Sequence, residues 1–234
     1  MKRFYTLVST HKTDGGFEIH LDGRPVKTPM KATLIAGNNA IANALQSEWM
    51  AQEEEIKPDT MPLTQILSTQ IDRIGAERET IQNTLLKYLD TDLVCYFTDE
   101  PPALKEAQEI TLNPYLKWFE TYFKTPLKTT TGLTAITQSE QAHKAVTDYV
   151  TALDDAHFTV LQLVSSLAGS LVLAMNAMEE GRTAPEIFTA MRIEENFKAE
   201  IYNEDFYGPD PAQEQKDNII KAELKAALRY LDLL

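Results

Sequence analysis

The sequence predicts an α+β chain: a small β-rich N-terminal domain followed by a larger all-α C-terminal domain. Three observations predict it. Phe17, Ile19 and Leu21 alternate with Glu18, His20 and Asp22, the period-2 pattern of a half-buried strand. Turn residues flank that run, Gly15-Gly16 before it and Asp22-Gly23 after it. From Leu63 onward, apolar residues recur at helical spacing almost throughout. The seam falls between Asp59 and Glu79 and divides the chain into domains 1–76 and 77–234.

Each element follows from local pattern. Asp-Gly between apolar runs predicts a type I′ hairpin, because that turn needs positive φ. Phe4 to Ser9, Pro25 to Thr28 and Ala32 to Ile35 read as neighbouring strands. Ile41, Leu45, Glu48 and Trp49 share a face of a helix from Asn39 to about Gln52. Pro58 and Pro62 bracket an extended connection. Ile66, Leu67, Ile71 and Ile74 share one helical face, and Ile81, Leu85, Leu86 and Leu89 another, before a break at Asp90-Thr91-Asp92. Tyr115, Leu116, Phe119, Tyr122 and Phe123 form an aromatic-rich stripe after Asn113-Pro114. Thr137 and Glu140 have capping-box spacing, as do Thr183 and Glu186 with Pro185 between them. A last helix is expected from Pro211 to about Leu233. There is no internal repeat and no low-complexity linker.

Composition narrows the function classes. Of 234 residues, 43% are apolar and 24% charged, the balance of an ordinary globular chain. A single cysteine, Cys95, excludes a disulfide scaffold and a cysteine-based zinc site and suits a reducing compartment. The net charge is −13, which repels nucleic acid phosphates and anionic lipid. That charge is uneven. Residues 1–76 carry 8 basic and 9 acidic side chains, and residues 77–234 carry 14 and 26. The N-terminus has no apolar stretch of signal-peptide length. Phe158 to Met178 has the length of a membrane span, but it contains Gln162, Ser165, Ser166, Ser170 and Asn176 and is flanked by acidic pairs. It reads instead as one buried central helix, with Ser166, Gly169 and Ser170 allowing close helix approach.

Catalytic machinery is missing from the pattern. There is no P-loop, no G-x-G-x-x-G after a strand and no G-x-S-x-G elbow. His11, His20, His143 and His157 have no metal-ligand spacing. Cys95, in the apolar run LVCYF, reads as a small buried hydrophobe. Asp90 and Asp92 would suit a hard cation, or would cap the segment that follows.

The segment MRIEENFKAEIYNED carries the strongest functional signal. On a continuous helix Glu194 is flanked by Ile187, Met191, Phe197 and Ile201, and Glu195 by Phe188, Met191 and Tyr202. Two adjacent acids cannot both escape the apolar surface of such a helix. At least one carboxylate is therefore expected on or beside an apolar face, either in an internal ion pair or awaiting a partner's cation. Trp49 is open to two readings, interdomain packing and a binding anchor.

Several stretches together resemble one family. FYTLVSTHKTDGGFEIHLDGRPVKTP, LQSEWMAQ, IKPDTMPLTQILSTQIDR, YLDTDLVCYF, NPYLKWFE, GSLVLAMNA and RIEENFKAEIYNED are similar to segments of the assembly chaperones for the α subunit of the F₁-ATPase head. The resemblance runs from Phe4 to about Asp205. It implies a two-domain, ATP-independent chaperone that binds the unassembled α subunit until the β subunit replaces it. It implies no enzyme activity; together with the charge and the missing motifs, no cofactor, no metal, no nucleic acid partner and no membrane insertion are expected, and a monomer is expected. Bacterial members are cytoplasmic and eukaryotic ones mitochondrial. The absence of an Arg/Ser-rich leader suits a bacterial or processed member.

The family's important acid lies in an L-[DE]-E-x-[FWY]-Q segment, which here is Ile193-Glu194-Glu195-Asn196-Phe197-Lys198. The resemblance leaves open which Glu takes the role. Lys198 stands where the family has Gln, and Tyr202-Asn203 where it has Trp-Gly. The candidate client-binding residues are Glu194, Glu195, Trp49, Phe197 and Tyr202. Two other functions remain as alternatives: a metal-dependent hydrolase built on Asp90, Asp92 and the Glu194-Glu195 pair, and a general interaction scaffold.

Overall fold

A computed structural model describes residues 1–201 and 211–234. The chain divides into two compact units. The first comprises Met1–Glu79, Asp154–Val160 and Arg229–Leu234, and the second comprises Thr80–Leu153 and Leu161–Leu228.

The first unit is built on a small antiparallel sheet. β1 (Val8–Thr13) pairs along its length with β2 (Gly16–Leu21), in the register Val8↔Leu21 to Thr13↔Gly16. The other edge of β2 takes β3 (Arg24–Pro25) at one end and β4 (Ile35–Ala36) at the other. The Asp22-Gly23 turn has φ of 48° and 79°, the two successive positive values that a type I′ hairpin requires. Asp22 is further held there because its carboxylate accepts from the Leu7 backbone N–H at 2.8 Å and from Thr6. Those backbone N–H bonds keep its carboxyl below the usual carboxylate range. Gly16 is required by space: a Cβ there would lie 2.3 Å from the Ala36 carbonyl oxygen. The strand expected at Phe4 to Ser9 begins only at Val8. The segment before it pairs with residues 54–56 instead, through Arg3 N to Glu54 O and Ile56 N to Met1 O.

α1 (Asn39–Met50) lies across β1 and β2 and buries Ile41, Ala42 and Leu45 against Ile19, Leu21 and Leu34. Asn38 caps it by accepting from Ile41 N at 2.9 Å. The connection bracketed by Pro58 and Pro62 is a 3₁₀ turn, Pro58–Thr60, followed directly by α2 (Pro62–Thr69). Met61, at the start of α2, offers no capping side chain. Glu48 of α1 caps it from outside, accepting from Leu63 N, Thr64 N and Thr64 Oγ1, each at 2.8 Å. Charge-assisted bonds to helix N-terminal donors are strong ones. Glu48→Ala is therefore expected to lower stability by about 2 kcal/mol, read as a lower urea midpoint.

A π-type turn, Gln70–Ile74, leads into α3 (Gly75–Leu86). The second unit is helical thereafter: α4 (Pro102–Phe123), α5 (Glu140–Ala152), α6 (Asp155–Ala168), α7 (Leu171–Glu180), α8 (Ala184–Met191), α9 (Ile193–Ile201) and α10 (Pro211–Asp232). The first turn of α6 and the last turn of α10 are counted with the first unit. Every residue from Leu171 to Ala177 is buried, so α7 is covered on all sides. Around it the core of this unit includes Leu112, Phe119, Val146, Val164, Ile187 and Leu224.

Two of the helical expectations are corrected. The stretch from Phe158 to Met178 is two helices, because Gly169 turns to a φ of 64° and Ser170 starts α7 as its N-cap. No helix among the described residues is long and apolar enough to cross a membrane. The aromatic stripe after Pro114 belongs to a longer helix, α4, which runs through that proline. Finally, α5 is capped by Ser139, accepting from Ala142 N at 3.1 Å, and not by Thr137. The Thr183–Glu186 capping box is present as expected, with both reciprocal bonds formed.

Candidate functional site

The site grows out of a helix break. α8 ends at Met191, Arg192 turns aside with φ −111° and ψ 17°, and α9 restarts at Ile193. The continuous helix assumed from sequence does not exist. Glu194 and Glu195 stand in the first turn of a new helix, whose free N–H groups and positive dipole end favour acids. Both are half-exposed, with 50% of each side chain open to solvent.

The two acids have different neighbours. Glu195 Oε1 lies 3.6 Å from Arg192 Nη1, and the same guanidinium reaches Asp217 at 3.4 Å. Glu194 instead accepts from Gln108 Nε2 at 3.1 Å. Its ion pair with Lys198 is open to solvent and 4.0 Å long, a geometry of little energetic weight. Gln108 sits inside α4 and is 1% exposed. Its Oε1 accepts from Thr98 N at 2.8 Å.

Apolar hollows flank Glu194. One, of about 410 Å³, is lined by Phe97, Pro101, Leu104, Phe197 and Ile201 together with Glu194. Ile201 is 60% exposed and Leu133, also in the lining, is fully exposed. The other, of about 270 Å³, is lined by Leu93, Tyr96, Leu112, Met191 and Ile193 with both glutamates and Gln108. The Glu194 carboxylate thus stands on the wall of two hollows with mostly apolar linings, and Glu100 and Lys198 also line the larger one.

Trp49 belongs to the first unit. It is half-buried, its ring meets Tyr5 edge-on at 5.8 Å, and its carbonyl accepts from the Tyr5 hydroxyl. It lines a groove of about 590 Å³ with Val26, Pro29, Met30, Ile56 and Met61. Its Nε1 is buried and has no hydrogen-bond partner among the described residues. Tyr202 lies outside the described residues. Sequence reading missed Gln108, whose partners are 10 and 86 residues away.

The carboxylates of the hydrolase alternative are engaged elsewhere. Asp92 is fully buried and accepts from Ser170 Oγ and from Val172 N. Asp90 Oδ1 accepts from Gln138 N at 2.9 Å and lies 2.9 Å from His143 Nε2. Among the described residues no three His, Cys, Asp or Glu side chains converge to hold a metal ion. Cys95 is buried, and burial pushes its thiol pKa far above the ordinary range.

Comparison with known proteins identifies the family. A family model described as "ATP12 chaperone protein" matches residues 2–120. Over the whole fold the chain superposes on Atp12 from Paracoccus denitrificans with a TM-score of 0.91 and 31% identity, covering 99% of this chain and 97% of that one. It is 23% identical over 227 residues to the mitochondrial protein ATP12 of Saccharomyces cerevisiae, spanning 82% of this chain and 70% of that protein. The mitochondrial atp12 of Schizosaccharomyces pombe is 22% identical over 74% of this chain and 64% of its own length. The chain belongs to the ATP12 chaperone family.

Proposed function

We propose that this chain, an F₁-ATPase assembly chaperone by family, binds the unassembled α subunit and shields it until the β subunit takes its place. It does so without ATP and without catalysing a reaction, as a monomer in the bacterial cytoplasm. The observation that supports this reading is the Glu194 carboxylate on the wall of two hollows that the described residues leave open and line mostly with apolar side chains. An apolar client segment carrying a lysine or arginine fits such a surface: the hollows take apolar side chains and the carboxylate takes the cation.

Glu194 is the central contact in this reading. Phe197 supplies apolar area beside it, and Glu195, already paired with Arg192, adds a weaker charge. Trp49 and its groove are a second contact, made by the first unit. Tyr202 remains a candidate on sequence grounds alone.

Co-expression tests the proposal. Soluble α subunit is expected to rise and to co-purify with the chaperone. Unchanged soluble yield, with no complex at micromolar concentration, would reject it. The net charge of −13 adds a kinetic expectation. If the acidic field steers the client, the association rate falls several-fold as salt rises from low to physiological strength, while dissociation changes little.

A further inference from the structure

We propose that Gln108 is a positioning residue for the client site: its side-chain amide holds the Glu194 carboxylate in place at the apolar hollows. The proposal rests on the reading of Glu194 as the client contact. A glutamine amide has an acceptor end and a donor end. The acceptor end of Gln108 is committed to Thr98 N at 2.8 Å. The donor end therefore faces Glu194 Oε1 at 3.1 Å. Flipping the amide would set NH₂ against N–H at one end and oxygen against carboxylate at the other, so the orientation is chemically determined.

The burial pattern suits this role. Gln108 is 1% exposed, so water competes little for its amide, while half of the Glu194 side chain remains open. One carboxylate oxygen is held from inside. The other, Oε2, has the exposed Lys198 at 4.0 Å as its ion-pair partner among the described residues, and on this proposal it takes an incoming cation. A free glutamate on a helix surface samples several rotamers and loses that freedom on binding. Held by Gln108, Glu194 is ordered before the client arrives, which favours association. The backbone turn that supplies Thr98 thus reaches the client surface through one buried side chain.

Exchanging amide and carboxylate tests this directly. The probe is purified F₁ α subunit, and each variant is read twice, by affinity and by melting temperature. Glu194→Gln is expected to weaken capture about tenfold with little change in melting temperature. Gln108→Glu sets two carboxylates together and is expected to lower both. The double exchange, Q108E with E194Q, remakes the hydrogen bond with donor and acceptor reversed. It is expected to recover the melting temperature while capture stays about tenfold weak, because the charge now sits inside. Recovery of capture together with stability would overturn the proposal. Should Gln108→Glu fail to fold, Gln108→Met decides: about a tenfold loss of capture supports positioning, and wild-type capture refutes it. Wild-type capture by Glu194→Gln would instead reject Glu194 as the client contact. Loss with Glu194→Gln alone, and none with the Gln108 variants, would reject only the positioning role.

Discussion

Glu194→Lys is expected to weaken capture of the α subunit by about 10- to 100-fold while lowering the melting temperature by only about 5 °C, the cost of leaving the Gln108 amide without its acceptor. The disparity follows from where the carboxylate stands. Half of the side chain is open to solvent, its pair with Lys198 is long and exposed, and its hydrogen bond among the described residues comes from Gln108. Little folding energy therefore depends on its charge. In a complex, however, the same carboxylate would be closed between apolar hollows and the client's cation, and a like charge there leaves two desolvated cations facing each other. Glu195→Lys is expected to do less to capture, because Glu195 already pairs with Arg192. It is expected to do more to stability, because Arg192 also holds Asp217 and would gain a repulsive neighbour. Titration calorimetry beside thermal melting separates the two. A collapse of the melting temperature in Glu194→Lys would make the residue structural.

Asp92→Ala is expected to be the most destabilising single change considered, at about 3 kcal/mol or more at neutral pH. Asp92 begins the short 3₁₀ turn Leu93–Cys95 by accepting from Val94 N, and also accepts from Ser170 Oγ at 2.6 Å and Val172 N at 2.9 Å. Ser170 in turn caps α7. Removing the carboxylate leaves buried donors unpaired on both segments. The pH dependence has a definite sign. Burial pushes the Asp92 carboxyl up to about 6, against the pull of the four donors around it. The folded state thus holds this proton more tightly than the unfolded chain, whose aspartates titrate near 3.9. Asp92 therefore contributes less stability as pH rises from about 4 to about 6, by up to about 3 kcal/mol. Asp92→Ala lacks this titration, so its cost is greatest near pH 4 and smaller above pH 6. Urea unfolding of both proteins at pH 4 and pH 7 reads the difference. An equal cost at both values would contradict the raised carboxyl.

Local chemistry explains which parts of the fold can be read from sequence. The Asp22-Gly23 turn is legible because two successive positive φ values restrict the residues allowed. The Thr183–Glu186 cap is legible because its partners are three residues apart. The break between α6 and α7 is hidden, because apolar residues keep their helical spacing on both sides of Gly169 and the carboxylate supporting it, Asp92, lies 78 residues before Ser170. Pro114 misleads in the opposite sense. A proline is disfavoured inside a helix, yet α4 continues through it, with Leu112, Tyr115 and Phe119 buried on either side.

The candidate site divides along the same line. An acid beside an apolar face is legible in the Ile193–Phe197 segment from the helical spacing of its apolar neighbours. The break at Arg192 is not, and it is the break that places both acids in a helix first turn instead of on one continuous face. Gln108 carries no sequence signal, since a lone glutamine in a helix has a dozen ordinary explanations and its partners come from two distant segments. Trp49 shows the limit of reading aromatic residues: its ring both packs on Tyr5 and lines a groove, so packing and binding are not exclusive.

Site-specific photocrosslinking from position 197 gives the sharpest test of where the client sits. With a photoreactive residue in place of Phe197, beside Glu194, an adduct with the α subunit is expected. The same residue in place of Lys144, an exposed side chain of α5, is expected to give none. Adducts from position 144 but not from 197, in a complex that still forms, would contradict the Glu194 surface as the client site.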